Sequence, residues 1–232
     1  MTVRFDDLSP YPAKSPLPNI APLWHDFYHN PTIYQDISRL LPDDFANHCQ
    51  HYQSLYQQHV SDDNPLTDWL ITLFNALYAP HTTLIHSTGE PEYFAPKDGK
   101  SAQIAFAHGF FASSLHEISH WCVAGKQRRM LDDFGYWYCP DGRDQATQAL
   151  FEQVEIKPQA IECLLNLALG RYFYVSQDNL NADFDTSQSR FAQDVYDKAH
   201  SFLQNPSTLP PDARRLIWVF LTAMGQLPNH QG

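Results

Sequence analysis

Apolar positions along this chain repeat mostly at three- and four-residue intervals, and the few places where the rhythm changes outline its elements. From 111 to 123 the residues Phe111, Leu115, Ile118 and Cys122 fall at i, i+4, i+7 and i+11, one face of a helix, with Gly125 placed as its C-cap. Just before it, residues 103–107 read as a short buried strand that ends in a turn at His108 and Gly109. The spacing of Leu70, Ile71, Phe74, Leu77 and Tyr78 predicts a helix over 68–84, and 90–96 then reads as an extended loop. A long helix is predicted over 148–169, and two more over 191–202 and 212–224, joined through Pro206, Pro210 and Pro211. Residues 1–65 read as an N-terminal extension, Pro-rich over 9–22 and helical in pattern over 32–60, ahead of the principal domain, 66–232. The fold class implied is α+β: a mostly helical single domain with a small sheet that supplies the strand before the 111–123 helix.

Composition narrows the class. A chain of 232 residues, 43% hydrophobic and 14% aromatic, can bury a sizeable core in one domain. No apolar stretch follows Met1 and the run 217–224 is too short to span a bilayer, so a cytoplasmic protein with no membrane association is expected. The four cysteines, Cys49, Cys122, Cys139 and Cys163, form no C-x-x-C pair and read as reduced thiols. A net charge of −11 argues against a nucleic-acid partner, since Lys126, Arg128 and Arg129 make only a small basic cluster. A monomer is expected.

Chemistry is concentrated at His116-Glu117-Ile118-Ser119-His120, where two imidazoles four apart on a helix can share one divalent metal ion. His116 and His120 lie off the apolar stripe, beside the small residues Ala112, Ser113 and Ser119. Glu117 points about 100° away from His116, which suits a supporting carboxylate or proton acceptor better than a ligand. The third ligand must come from elsewhere. All six glutamates lie between Glu90 and Glu162, and Gln148, Glu152, Glu155, Gln159, Glu162 and Asn166 form one polar stripe on an otherwise apolar helix. The stripe faces either solvent or a polar active site, and its lack of Lys and Arg favours the latter. Pro158 should kink or restart the helix beside Glu155. These features rank Glu155 first as ligand, then Glu152, then Glu162. His25 and His29 share the i, i+4 spacing too, but Pro31 and the lack of nearby Cys or Glu argue against a second metal site there.

The segment 131–144 combines acidic residues, aromatic rings and turn formers, and reads as either a substrate-facing loop or part of the core. On the first reading Asp133, Tyr136, Trp137 and Tyr138 shape a substrate entrance suited to an ammonium group. Asp144 is placed as the N-cap of the next helix.

Four blocks, A-F-A-H-G-F at 105–110, H-E-I-S-H-W at 116–121, D-F-G-Y-W-Y-C-P-D-G-R-D at 133–144 and F-E-Q-V-E-I-K-P-Q-A at 151–160, resemble the bacterial elongation factor P hydroxylase family. The resemblance spans roughly 66–185. It implies an Fe(II)-dependent monooxygenase that uses dioxygen to hydroxylate the lysine of elongation factor P already extended by a β-lysyl group. It also implies a fold similar to a bacterial metal-dependent ribosomal-RNA maturation nuclease, with two histidine ligands mapping onto His116 and His120 and a carboxylate onto Glu152 or Glu155. Spacing alone leaves two other readings open: a zinc hydrolase with Glu117 as general base, and a non-catalytic adaptor built on a degenerate site.

Overall fold

The computed structural model describes residues 24–28, 37, 41–58, 63–136, 142–179, 181, 183–184 and 189–225. Seven helices are found among them: α1 (His25–Tyr28), α2 (Phe45–Gln57), α3 (Asp63–Tyr78), α4 (Phe111–Arg128), α5 (Gln145–Ala168), α6 (Phe191–Gln204) and α7 (Pro211–Ala223). Three strands, β1 (Thr82–Ser87), β2 (Glu92–Phe94) and β3 (Ala102–Ala107), form one sheet in the order β1-β3-β2. The architecture is mostly helical with a small sheet.

β3 is the central strand, parallel to β1 and antiparallel to β2, with Leu84 opposite Ile104 and Glu92 opposite Ala105. Ile104, Ala105 and Phe106 are consecutive buried residues, as befits a strand covered on both faces. The chain leaves it directly into α4. The loop expected at 90–96 is thus partly a strand, because Asp132 and Asp133 supply what β2 lacks. On β2's free edge the amides of Tyr93 and Ala95 donate to Asp133 Oδ1 (2.9 Å) and Asp132 Oδ1 (2.8 Å).

The helix predicted over 68–84 stops at Tyr78, and Leu84 lies in β1 instead. Apolar spacing carries no stop signal here, and the following Ala79-Pro80 bond breaks the helix. α4 runs past its expected cap, but Gly125 does end the first stretch: at φ 67° and ψ 175° it breaks the helical path before one further turn. Asp144 caps α5 as expected, accepting from Thr147 N at 2.8 Å.

α5 is the spine of the molecule. It packs against α4, α6 and α7, and from Pro158 to Ala168 every residue is buried. The restart expected at Pro158 does not occur: helical geometry continues through it, with Pro158 on the buried side of a turn whose Val154 and Lys157 are exposed. Trp69 joins α2, α3 and α7, with its ring 4.5 Å from Tyr52 and 5.9 Å from Phe220 and its indole nitrogen donating to His48 O at 2.9 Å. Tyr52 in turn donates to Leu169 O at 2.7 Å. Residues of α1 and α2 therefore share the hydrophobic core of the rest. Cys49, Cys122 and Cys163 are buried free thiols, while Cys139 lies outside the described residues.

A strap without regular secondary structure, 170–179, returns along the polar stripe of α5. Gln148 Nε2 donates to Gln177 O (3.0 Å), and Gln159 exchanges bonds with the backbone of Ser176. Arg143, buried over the Phe151 ring, and Asn179 tie the strap to the start of α5.

Candidate metal centre

α4 turns Leu115, Ile118 and Cys122 into the core, which leaves His116 and His120 one turn apart on the side that meets α5. The stripe on α5 is not a solvated face: Gln148, Glu155, Gln159, Glu162 and Asn166 are buried. Its amides hold the strap and its acids meet the histidines. One ligand atom from each of His116, His120 and Glu155 lies within 4.8 Å of the others. His120 Nε2 is 3.2 Å from Glu155 Oε1, His116 Nε2 is 3.7 Å from Glu155 Oε2, and the two imidazole Nε2 atoms are 3.0 Å apart.

On the far side of its ring, His116 Nδ1 lies 2.9 Å from Glu162 Oε2. A carboxylate can only accept, so Nδ1 carries a proton, and when the ring is neutral its lone pair is on Nε2, facing the cluster. That is how a ligating histidine is held in the correct tautomer.

Three carboxylates around two imidazoles create an excess of negative charge. Burial alone would lower the His116 pKa, but the hydrogen bond and charge of Glu162, followed by Glu155 and Glu117, push it up to about 10. Burial alone would raise Glu155, yet His120 and then His116 hold it down at about 2. Glu117, half-buried and making no hydrogen bond to the described residues, is raised above its ordinary range by burial. The cluster is therefore built to hold positive charge, supplied by a proton or a metal ion.

The donor set fits a divalent ion. With metal–nitrogen bonds of about 2.1 Å, donors at right angles lie about 3.0 Å apart and donors at the tetrahedral angle about 3.4 Å apart. The three donor separations, 3.0, 3.2 and 3.7 Å, lie around these values. Two imidazoles and one carboxylate on one side of an ion leave its remaining positions open.

The sequence model describing elongation factor P hydroxylases matches residues 73–229. The chain belongs to the elongation factor P hydroxylase family. It is also similar to a curated relative named elongation factor P lysine hydroxylase, from Haemophilus influenzae: 44% identical over 138 residues, covering 58% of this chain and 77% of the relative. The match to the hydroxylase family includes every residue of the cluster.

Other residues singled out in the sequence are placed as follows. Glu152 accepts from Ser189 Oγ (2.7 Å) and Gln148 Nε2 (3.3 Å), joining α5 to the start of α6, and is not part of the three-residue cluster. Asp133 holds β2 through Tyr93 N, and Tyr136 stacks under the Arg128 guanidinium at 3.6 Å. Trp137 and Tyr138 lie outside the described residues, as does His29. Arg129, part of the small basic cluster, is engaged by Asp212 (2.8 Å) and the Trp121 ring. Two roles were missed in this hydroxylase family member. Glu162 supports His116, a role for which its position on the stripe was the available signal. Ser176 meets Gln159, and nothing in the sequence marks it.

Proposed function

We propose that this chain is a non-heme Fe(II) monooxygenase that hydroxylates the β-lysylated lysine of elongation factor P. The single observation that carries the metal part is the His116–His120–Glu155 cluster; family membership carries the substrate. Two imidazoles and one carboxylate with open positions are the ligand set of non-heme Fe(II) oxygenases, which supports iron as the ion.

His116, His120 and Glu155 would hold the ion, which when bound would supply the dioxygen activation that no side chain here provides. Glu162 holds the proton of the neutral His116 ring on Nδ1, so that Nε2 is the nitrogen turned to the ion, and buried α5 keeps bulk water from one side of it. Glu117, half-buried beside the cluster and making no hydrogen bond to the described residues, is available to accept a proton or face a cationic substrate. Glu152 supports the start of α6 rather than the ion. Asp133, Tyr136, Trp137 and Tyr138 are proposed to shape the substrate entrance, Tyr136 with Arg128 at its back.

The helix bearing the ligands behind a central strand is consistent with a fold shared with a metal-dependent ribosomal-RNA maturation nuclease. Residues 1–65 are read as an addition to a hydroxylase domain of 66–232, in keeping with a family match that starts at 73. A monomer acting in the cytoplasm, without nucleic acid or membrane, completes the proposal; no helix among the described residues is long and apolar enough to cross a membrane.

Incubating the Fe(II)-loaded protein with β-lysylated elongation factor P, a reductant and dioxygen should add about 16 Da, one oxygen atom, to the substrate. Cleavage of a peptide or amide without oxygen, in place of that gain, would overturn the reading.

A further inference from the structure

The amide of Gln159 is fixed at both ends by one residue. Its Nε2 donates to Ser176 O (2.8 Å) and its Oε1 accepts from Ser176 N (3.1 Å), so the strap's backbone decides which way the buried amide points. The remaining Nε2 hydrogen faces Glu155 Oε2 at 3.4 Å, one helical turn back on α5. The same Oε2 is the oxygen farther from an imidazole, 3.7 Å from His116 Nε2, while Oε1 lies 3.2 Å from His120 Nε2.

We infer that Gln159 is a positioning residue that retains Glu155 Oε2, so that Glu155 offers a metal ion one oxygen rather than two. This rests on the reading of His116, His120 and Glu155 as the metal ligands. One-oxygen ligation leaves an additional coordination position open, which an enzyme binding both dioxygen and substrate at one ion requires. The strap is thereby linked to the metal: Ser176 orients Gln159, and Gln159 orients Glu155.

The test uses the full chain with Co(II), whose visible d–d bands weaken as coordination number rises. Gln159→Leu should weaken Co(II) binding about tenfold, at the lower end for a residue supporting a ligand, and lower the band intensity per bound ion as Glu155 turns to two-oxygen ligation. Ser176→Ala should change neither, because both bonds run to the Ser176 backbone. Should Gln159→Leu fail to fold by circular dichroism, Gln159→Asn, too short to reach both partners, is read in the same way. Unchanged band intensity in the Gln159 variant overturns the inference, reducing the residue to a clasp for the strap even if affinity falls. A wild type that takes up no Co(II) defeats the metal-site reading itself, and this inference with it.

Discussion

His116 and His120 bring their Nε2 atoms to within 3.0 Å of each other across one turn of α4. Two imidazole lone pairs at that distance repel unless a proton or a cation lies between them, and Glu155 and Glu162 increase the demand for positive charge. The spacing follows from the i, i+4 geometry of a helix, but the carboxylates that make it useful come from α5.

The anaerobically purified protein should bind about one equivalent of Fe(II), and His116→Ala or His120→Ala should abolish both metal and hydroxylation. Metal analysis after gel filtration measures it. Full occupancy in both variants would move the site elsewhere.

Metal affinity should rise about tenfold per pH unit between pH 6.5 and 8, because one proton must leave His116, whose pKa without metal is about 10. In the metal-free protein the same group, raised from an ordinary value of 6.5 to about 10, stabilises the fold fully below 6.5 and loses that contribution as pH climbs toward 10. Glu155, lowered from 4.5 to about 2, acts at the other end: its contribution is present above pH 4.5 and is lost as pH falls toward 2. Calorimetric titration in buffers of different ionisation heat counts the protons released. A release near zero at pH 7 would contradict the charge arrangement.

Three carboxylates on α5 should behave differently in kind. Glu155→Ala should lose the metal, Glu162→Gln should cost roughly 10–100-fold in affinity by freeing the His116 tautomer, and Glu152→Ala should leave affinity near normal. The last follows from its bonds to Ser189 and Gln148. Iron titrations on the three variants rank them; loss of metal in Glu152→Ala alone would reverse the assignment.

Glu117→Gln separates oxygenase from hydrolase. Metal should remain bound and hydroxylation should persist at reduced rate, whereas a hydrolytic general base would cost roughly 10²–10⁴-fold. Single-turnover assays with and without oxygen measure the difference.

Asp133→Ala should destabilise the fold by about 1–2 kcal/mol, since it removes the acceptor of Tyr93 N. The residue also has positive φ, 46°, which Asn tolerates better than Ala, so Asp133→Asn should lie closer to wild type. Urea unfolding compares the two variants. Equal stability of Asp133→Ala and wild type would leave the substrate entrance as the residue's main role.

The sequence by itself determined the elements that local periodicity encodes: α4 and its two histidines, the strand before them, the Asp144 cap and the long α5 with its polar stripe. Each depends on neighbours within a turn or two, where spacing and side-chain direction are coupled. Family blocks then indicated the reaction class, because a run of residue identities carries a likeness that spacing and periodicity cannot give.

Only the tertiary structure decided which stripe residue meets which imidazole. Glu155 and Glu162 sit on one face of α5, seven residues apart, and packing against α4 sends one to the ligand side of the histidines and the other to Nδ1 of His116. Pro158 continues in a helix with its ring on the buried face of α5, so packing outweighs its local penalty. The strap's bond to Gln159 had no sequence signal at all, since it uses the backbone of Ser176, which every residue but proline presents alike.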